Sequence, residues 1–345
     1  MRASSSSVSW RGAHPFCAGD ETLTPRERFA ELGGFSKVKM VRKVGTEHIY
    51  ALKSTNIHRA FDEGQVNHTL NEKEVLSTLR HPFIARLYTT FRDEDNVYFL
   101  LEYVGGGELF DVVKEKGKLD SDAARFYAAN CVLAIEYLHS RGIAFRDIKS
   151  ENLLLDARGY LKVVDFGMAR FVRPTDRCNT FAGTLDYVSP EILSCTPYSL
   201  YVDWWALGCL VYEMLTGKTP FKGSEELRLQ SMQAYSIHFD ADVDPQAKSF
   251  VRQLLHPDLS KRLGGPSSLG EAAIRIRRHA WFKDIDWVAL AKKEIKAPLI
   301  KEVSFALPPR LNIKIKKVRA EAEEEPPESP RTYSPKAINH FFDAF

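Results

Sequence analysis

Apolar and polar positions alternate in short stretches over the first third of the chain. β-Branched and aromatic residues cluster at residues 35–53 and 83–104, for example at 97–101, and predict the strands of a small sheet. Between these stretches, residues 65–79 place apolar side chains three and four positions apart, which predicts a helix. Because Glu72 falls on the apolar face of that helix, we expect a buried carboxylate there.

After the glycines at 105–107 the pattern becomes that of helices. Asp120 or Ser121 is expected to cap a long helix that Gly142 ends. The buried stripe of that helix comprises Ala124, Tyr127, Ala128, Cys131, Ile135 and Leu138.

The rest of the chain divides by composition. Residues 153–155 and 160–164 predict two short strands around a turn, and helical segments continue to about Trp281. From about residue 283 the acidic run at 321–325 and several prolines predict an extended tail. We therefore expect an α+β protein with a disordered leader at 1–28, a small β-rich lobe at 29–103, a larger helical lobe at 104–282 and a tail at 283–345.

Net charge and cysteine content restrict the possible partners and the cellular location of the protein. A net charge of +3 without a dense basic stripe argues against a nucleic-acid partner, and the absence of a long apolar run argues against a membrane partner. The five cysteines are odd in number and show no CxxC spacing. We therefore expect reduced thiols and a cytoplasmic or nuclear location.

Two acidic motifs carry the chemistry. Arg146, Asp147 and Asn152 fit a catalytic loop in which Asp147 accepts a hydroxyl proton and Asn152 holds a metal ion. Asp165 follows 18 positions after Asp147 and opens an Asp-Phe-Gly motif, which is typical of a residue that binds Mg²⁺ between phosphates. Phosphoryl transfer needs these groups, because catalysis there is mostly positioning and charge stabilisation.

A lysine completes this set. Lys53 lies at the end of a predicted strand, where it would hold the α- and β-phosphates of a nucleotide. Glu72 is expected to pair with Lys53, since a carboxylate on an apolar face is costly unless a cation meets it.

With these motifs the chain resembles the AGC group of serine/threonine protein kinases, and most of all the catalytic subunit of cyclic-AMP-dependent protein kinase. The segments that carry the resemblance are QVNHTLNEKEVL from Gln65, FLLEYVGGGELF from Phe99, NTFAGTLDYVSPEIL from Asn179, VDWWALGCLVYEMLTG from Val202 and KAPLIKEV from Lys296. Lys149, two residues after Asp147, marks a serine/threonine kinase. The cyclic-GMP-dependent kinases are nearly as similar and remain an alternative.

The resemblance implies a bilobal kinase fold that uses ATP and two Mg²⁺ ions. Leu101 would be the gatekeeper residue, and the backbone of Glu102 and Val104 would meet adenine. The full set implied for the nucleotide is Gly33, Gly34, Val38, Ala51, Lys53, Leu101, Glu102, Val104, Glu108 and Leu154.

The resemblance also implies a substrate class. Glu108, Glu151 and Glu213 stand where the family places acids facing substrate arginines, so protein substrates with basic residues before the serine or threonine are expected. An apolar pocket for the residue after the acceptor would be lined by Phe181, Leu185 and Val188.

Regulatory and structural positions follow in the same way. Thr180 matches the activation-loop phosphothreonine, whose phosphate would pair with Arg146, His68 and Arg170. Further implied roles are docking of Phe342 and Phe345 on the small lobe, anchoring of the catalytic loop by Asp203, and an ion pair between Glu191 and Arg262.

The sequence departs from the family pattern at several positions. The glycine-rich loop around Gly33 and Gly34 is two residues short, with Ser36 at its third glycine, so a pseudokinase is the competing hypothesis. Ser150 replaces a proline and Phe145 a histidine or tyrosine, and both are expected to be tolerable packing changes. Asn179 replaces a tryptophan that docks an inhibitory regulatory subunit, which argues against that partner.

Overall fold

The structure is a computed structural model. It describes residues 23–25, 36–43, 46, 48–172, 178, 181–266, 270–299, 342 and 345.

The small lobe is built on one antiparallel sheet with the strand order β1-β2-β3-β5-β4. Its elements are β1 Leu23–Pro25, β2 Ser36–Lys43, β3 Ile49–Asn56, α1 Ile57–Asp62, α2 Val66–Thr78, β4 Leu87–Arg92 and β5 Asn96–Glu102. The predicted helix and strands are confirmed here, with α2 one residue shorter at each end than the pattern indicates. Val75 and Leu76 on α2 are buried, as the spacing predicts, and so is Glu72.

The strand β1 corrects one expectation. Its three residues pair with β2, with Leu23 opposite Lys43, although they fall inside the predicted disordered leader. Pro25 is compatible with this edge position because an edge strand does not need every backbone N–H for the sheet. The boundary of the lobe at residue 29 stays a prediction.

The large lobe is mainly helical. Its elements are α3 Leu109–Lys116, α4 Ser121–Ser140, β6 Ile143–Ala144, a 3-10 helix Ser150–Asn152, β7 Leu153–Leu155, β8 Leu161–Val163, β9 Arg170–Phe171, α5 Pro190–Leu193, α6 Val202–Thr216, α7 Glu225–Gln233, α8 Pro245–Leu254, α9 Glu271–Arg277, a second 3-10 helix Ala280–Phe282 and α10 Trp287–Ala291. Two-stranded sheets pair β6 with β9 and β7 with β8. The predicted α+β architecture with two lobes is confirmed.

Two central helices form the core of this lobe. Asp120 caps α4 by accepting a hydrogen bond from the backbone N–H of Ala123, and the predicted apolar stripe of α4 is buried. The helix α6 is mostly apolar and buried around nearly all of its surface, with Trp204 and Trp205 fully buried, and it contacts both α4 and α8. A helix of this kind belongs in a core, and the loops of the site are anchored to it.

The first part of the expected tail is not extended. The helix α10 packs against α4, and the following segment crosses the loop between β7 and β8. A Cβ atom on Gly159 would lie 2.5 Å from the carbonyl oxygen of Leu299, and Gly159 has a φ of +79°. Only glycine allows this close approach without strain. The composition missed this packing because it reports average polarity and not the few apolar contacts.

Among the residues described, no helix is both long and apolar enough to span a membrane.

Candidate active site

Lys53 sits between two carboxylates where the lobes meet. Its Nζ lies 2.7 Å from an Oε of Glu72 on α2 and 2.9 Å from Oδ1 of Asp165. Burial lowers the pKa of Lys53, but the two carboxylates outweigh it and hold the pKa above its ordinary value. Burial raises the pKa of Glu72, whereas the charge of Lys53 lowers that of Asp165. The ion pair that the sequence predicts between Lys53 and Glu72 is present, and it couples the small lobe to Asp165.

The backbone conformations of Arg146 and Asp165 orient the side chains of the two motif aspartates, Asp147 and Asp165. Arg146 and Asp165 have left-handed φ angles of +67° and +58°, which are uncommon for residues with side chains. The carboxylate of Asp203 on α6 is fully buried and accepts hydrogen bonds from the backbone N–H groups of Phe145 (2.9 Å) and Arg146 (2.8 Å). These bonds hold the strained turn beside Asp147, so Asp203 anchors the loop as expected.

Asp147 is held by three side chains. Thr184 donates to its Oδ1 at 2.8 Å, Asn152 donates to its Oδ2 at 2.8 Å, and Lys149 lies 2.8 Å from the same Oδ2. Lys149 also donates to the hydroxyl of Thr184 at 2.8 Å, and its charge contributes to the low pKa of Asp165. Lys149 thus connects the two aspartates electrostatically.

Phe166 of the Asp-Phe-Gly motif points into the core. It is buried, and its ring packs edge-on against Phe145 with centroids 5.0 Å apart. Its backbone also hydrogen-bonds Glu72. The apolar Phe145 therefore has a packing partner, and the motif is tied to α2.

The residues predicted to bind the nucleotide are paired with one another within each lobe. Ala51 is opposite Leu101 in the sheet, Val38 is opposite Lys53, and Leu154 on β7 forms a bridge with Glu108. Val104 is almost fully buried, whereas Gly33 and Gly34 lie outside the described residues.

Glu102 has a partner that sequence reasoning missed. Its carboxylate lies 2.7 Å from Nζ of Lys162 on β8 and accepts a hydrogen bond from the N–H of Arg86. No local signal points to this pair, because 60 positions separate the two residues.

The side-chain oxygens of Asp165 and Asn152 suit a metal ion that binds together with phosphates. Lys53 and Gly167 donate to Oδ1 of Asp165, and the amide nitrogen of Asn152 donates to Asp147. Within the described residues, Oδ2 of Asp165 and Oδ1 of Asn152 accept no hydrogen bond. Two oxygen ligands are typical where Mg²⁺ keeps waters and phosphate oxygens as its other ligands.

The three predicted substrate acids form one electrostatic group. The charge of Glu151 contributes to the raised pKa of both Glu108 and Glu213, although burial is the main cause in each case. Glu213 on α6 is buried and accepts hydrogen bonds from Tyr187 at 2.7 Å and Ser150 at 3.0 Å. Over the described parts of the chain, no lysine, arginine or histidine forms an ion pair with any of the three.

The predicted apolar pocket is divided. Val188 is buried in a small cluster that also contains Ala144 and Val202, and Leu185 packs on that cluster. Phe181 is 50% exposed and does not belong to it. The structure therefore brings together two of the three residues.

The structure describes the residues expected to pair with the activation-loop phosphothreonine, but not that threonine itself. Thr180 and Asn179 lie outside the described residues. The pKa of His68 is lowered by burial and by the charge of Arg146, so these two groups are near each other, and Arg170 is exposed on β9.

The two terminal phenylalanines dock on the small lobe. Phe342 is fully buried, and the ring of Phe345 packs edge-on against Phe99 with centroids 5.5 Å apart. Nζ of Lys73 lies 4.4 Å from the centroid of Phe345. Since Lys73 follows Glu72 on α2, this end of the chain supports the helix that holds the ion pair.

Sequence reasoning also missed Thr184 and Tyr187, which hold Asp147 and Glu213. Both lie in the segment NTFAGTLDYVSPEIL, whose family resemblance was the available signal. Their hydroxyls became meaningful only once the fold placed them against the two carboxylates.

The fold and the site together define a two-lobed protein with a cluster of paired acidic and basic side chains where the lobes meet. Comparison with known proteins agrees: the protein kinase domain family matches residues 31–282. A RAC family serine/threonine-protein kinase homolog of Dictyostelium discoideum is 40% identical over 274 residues, which cover 79% of this chain and 60% of that protein. The cAMP-dependent protein kinase type 3 of Saccharomyces cerevisiae is 39% identical over 267 residues, covering 77% and 66%.

A human relative, the cAMP-dependent protein kinase catalytic subunit PRKX, is 36% identical over 305 residues, covering 85% of this chain and 84% of that protein. The chain thus spans 60%, 66% and 84% of the length of these three relatives. It belongs to the protein kinase family, in the AGC group close to the catalytic subunits of cAMP-dependent protein kinases.

Proposed function

We propose that this protein transfers the γ-phosphoryl group of ATP to serine and threonine hydroxyls of proteins, and that it prefers acceptors preceded by arginine. The observation that carries the proposal is the group of Asp147, Lys149 and Asp165, in which one lysine interacts with both aspartates. The names of the relatives support the same reaction.

Asp147 is the proposed proton acceptor. Its carboxylate is held by Thr184, Asn152 and Lys149, so its orientation is set before a substrate binds. A carboxylate positioned in this way can accept the proton of an incoming hydroxyl. Lys149 would neutralise charge that develops next to it.

The nucleotide and its metal ions would be held by three side chains, and a fourth positions one of them. When bound, ATP and two Mg²⁺ ions supply the phosphoryl group and the positive charge that neutralises it. Asp165 and Asn152 would hold the metal ions through the oxygens that accept no hydrogen bond within the described residues. Lys53 would contact the phosphates, and Glu72 keeps Lys53 in place at 2.7 Å.

The preference for arginine rests on Glu108, Glu151 and Glu213. Burial, with a smaller contribution from the charge of Glu151, raises the pKa of Glu108 and Glu213, and a substrate guanidinium would offset the repulsion from Glu151. Asp186 is a poorer candidate for this role, because Arg228 on α7 already lies 2.5 Å from it.

Regulation and location are further parts of the proposal. Phosphate on Thr180 is proposed to pair with Arg146 and His68, and the proximity of these two groups to each other supports an anion site between them. The described cysteines are unpaired, which fits a reducing compartment such as the cytoplasm or nucleus. Docking of an inhibitory regulatory subunit is opposed by Asn179.

Peptide phosphorylation by the full chain tests the reaction. We expect Mg-ATP-dependent transfer to a serine peptide with arginine two residues before the acceptor. Asp147→Asn should lower turnover about a hundredfold or more while nucleotide binding stays the same, because Asp147 faces the acceptor. Asp165→Ala should abolish metal-dependent turnover. Equal loss of ATP binding in both variants would contradict these roles.

A pseudokinase that binds a partner without turnover is the second candidate, and the short glycine-rich loop favours it. Inserting two residues between Gly33 and Gly34 separates the two hypotheses. A weak kinase should gain ATP affinity about tenfold from the restored backbone N–H groups. If neither protein transfers phosphate at saturating Mg-ATP, the pseudokinase hypothesis replaces the enzyme.

A further inference from the structure

Ser150 occupies an unusual place in the catalytic loop. It begins the 3-10 helix Ser150–Asn152 and is fully buried. Its Oγ donates to Oε1 of Glu213 at 3.0 Å and lies 3.3 Å both from the hydroxyl of Tyr187 and from Oε2 of Glu151. The family pattern has proline at this position, and proline carries no donor that could reach Glu213.

The surroundings of Glu213 make this donor important. Tyr187 donates to the second oxygen, Oε2, at 2.7 Å, so each carboxylate oxygen receives one hydroxyl hydrogen bond. Glu151 and Asp186 face the same carboxylate and oppose its charge, and Cys209 is also near. No basic side chain of the described residues forms an ion pair with it. The two hydroxyls are therefore the groups that favour the ionised form.

This arrangement leaves the carboxylate able to bind a guanidinium. A carboxylate oxygen can accept two hydrogen bonds, so one hydroxyl per oxygen leaves one further acceptor site on each. Arginine presents two parallel N–H donors that match such a pair of oxygens. A hydroxyl donor fixes the orientation of the carboxylate without neutralising it, whereas a lysine or arginine at this place would occupy the site.

We propose that Ser150 is a specificity-determining positioning residue, which keeps the Glu213 carboxylate ionised and oriented for a substrate arginine. This inference rests on the proposed preference for arginine. It predicts that recognition of arginine in this protein depends on a serine that the family pattern lacks.

The test compares two peptides that differ only in arginine or alanine two residues before the acceptor serine. The measured quantity is the ratio of kcat/KM for the two peptides. Ser150→Ala should lower this ratio about tenfold, the effect of one hydrogen bond to a charged group. Ser150→Thr, which keeps the hydroxyl, should restore most of the ratio.

Ser189 offers a matched control. It is equally buried, and its hydroxyl has no hydrogen-bond partner in the described structure. Ser189→Ala should leave the ratio as in the wild type. If Ser150→Ala fails to fold, Ser150→Cys takes its place, because a thiol is a weak donor of similar size and should give an intermediate ratio.

A second measurement separates positioning from a loss of packing. Binding of the arginine peptide with its acceptor serine replaced by alanine is followed by calorimetry as the pH is lowered. In Ser150→Ala the loss of binding should begin at a higher pH than in the wild type, because the carboxylate has lost a bond that favours its charge. A mere packing defect would weaken binding equally at every pH.

The outcomes distinguish the inference from the proposed function. If the wild type prefers arginine and Ser150→Ala prefers it to the same degree, the role of Ser150 is refuted and the arginine site remains. If the wild type shows no preference, the proposed substrate class fails, and the role of Ser150 fails with it.

Discussion

The cleft contains two groups of acids that differ in what surrounds them. On the nucleotide side, Lys53 lies within 3 Å of both Glu72 and Asp165, so the acids there already have a cation. On the substrate side, the hydrogen bonds that Glu213 receives from the described residues come from hydroxyls, and Glu151 repels it. In the first group the negative charges are compensated by a cation within the protein. The second is electrostatically incomplete until a cation binds.

This difference explains why substitutions in the two groups are expected to have different effects on stability and on substrate recognition. Removing a member of a satisfied buried pair leaves an uncompensated charge and destabilises the fold. Removing an acid from the substrate-side group relieves charge repulsion and weakens recognition of the substrate instead. The predictions below test this contrast.

The largest effect is expected for Lys53→Met. Loss of the cation should destabilise the fold by about 3–5 kcal/mol, because Glu72 stays buried, and should lower kcat about a hundredfold to a thousandfold. Thermal unfolding and steady-state kinetics measure the two effects. The double variant Lys53→Met with Glu72→Leu should regain much of the stability and none of the activity. A stable, active single variant would contradict the contrast.

A smaller and more selective effect is expected for Glu213→Gln. The preference for an arginine peptide over its alanine counterpart should fall about a hundredfold, or about 3 kcal/mol, because a buried charged partner is lost. The melting temperature should stay the same or rise, since repulsion from Glu151 disappears. A large drop in stability with unchanged preference would show that Glu213 has a structural role instead.

The preference for arginine should also depend on pH. Burial raises the pKa of Glu213 above the ordinary 4.5, so its carboxylate takes up a proton at a higher pH than a solvated glutamate does. Arginine binds the ionised form, and the preference should therefore fall as the pH decreases, by about tenfold per pH unit below that pKa. In Glu213→Gln the preference should change much less with pH. Identical profiles for both proteins would assign the titration to another group.

The smallest effect is expected at the docked end of the chain. Phe345→Ala removes the ring that contacts Lys73 and Phe99, which should cost about 1–2 kcal/mol and lower kcat a few-fold through α2. Phe345→Tyr keeps the ring and serves as the control. Both variants should leave the arginine preference unchanged, because the contact supports only the nucleotide side.

Much of the fold followed from local pattern. The spacing of apolar residues predicted α2 and α4, and the β-branched runs predicted the small sheet, because helices and strands have different side-chain periods. Residue types at motif spacing identified Lys53, Glu72, Asp147, Asn152 and Asp165 as one chemical set.

The sequence by itself therefore determined the class of fold and the groups that perform the chemistry. Only the tertiary structure decided which carboxylates receive cations, because that depends on contacts between distant segments. Ser150, Tyr187 and Glu213 lie far apart in the chain, and no local period relates them. The packing of residues 287–299 escaped prediction for the same reason, since a few long-range contacts outweighed the polar composition.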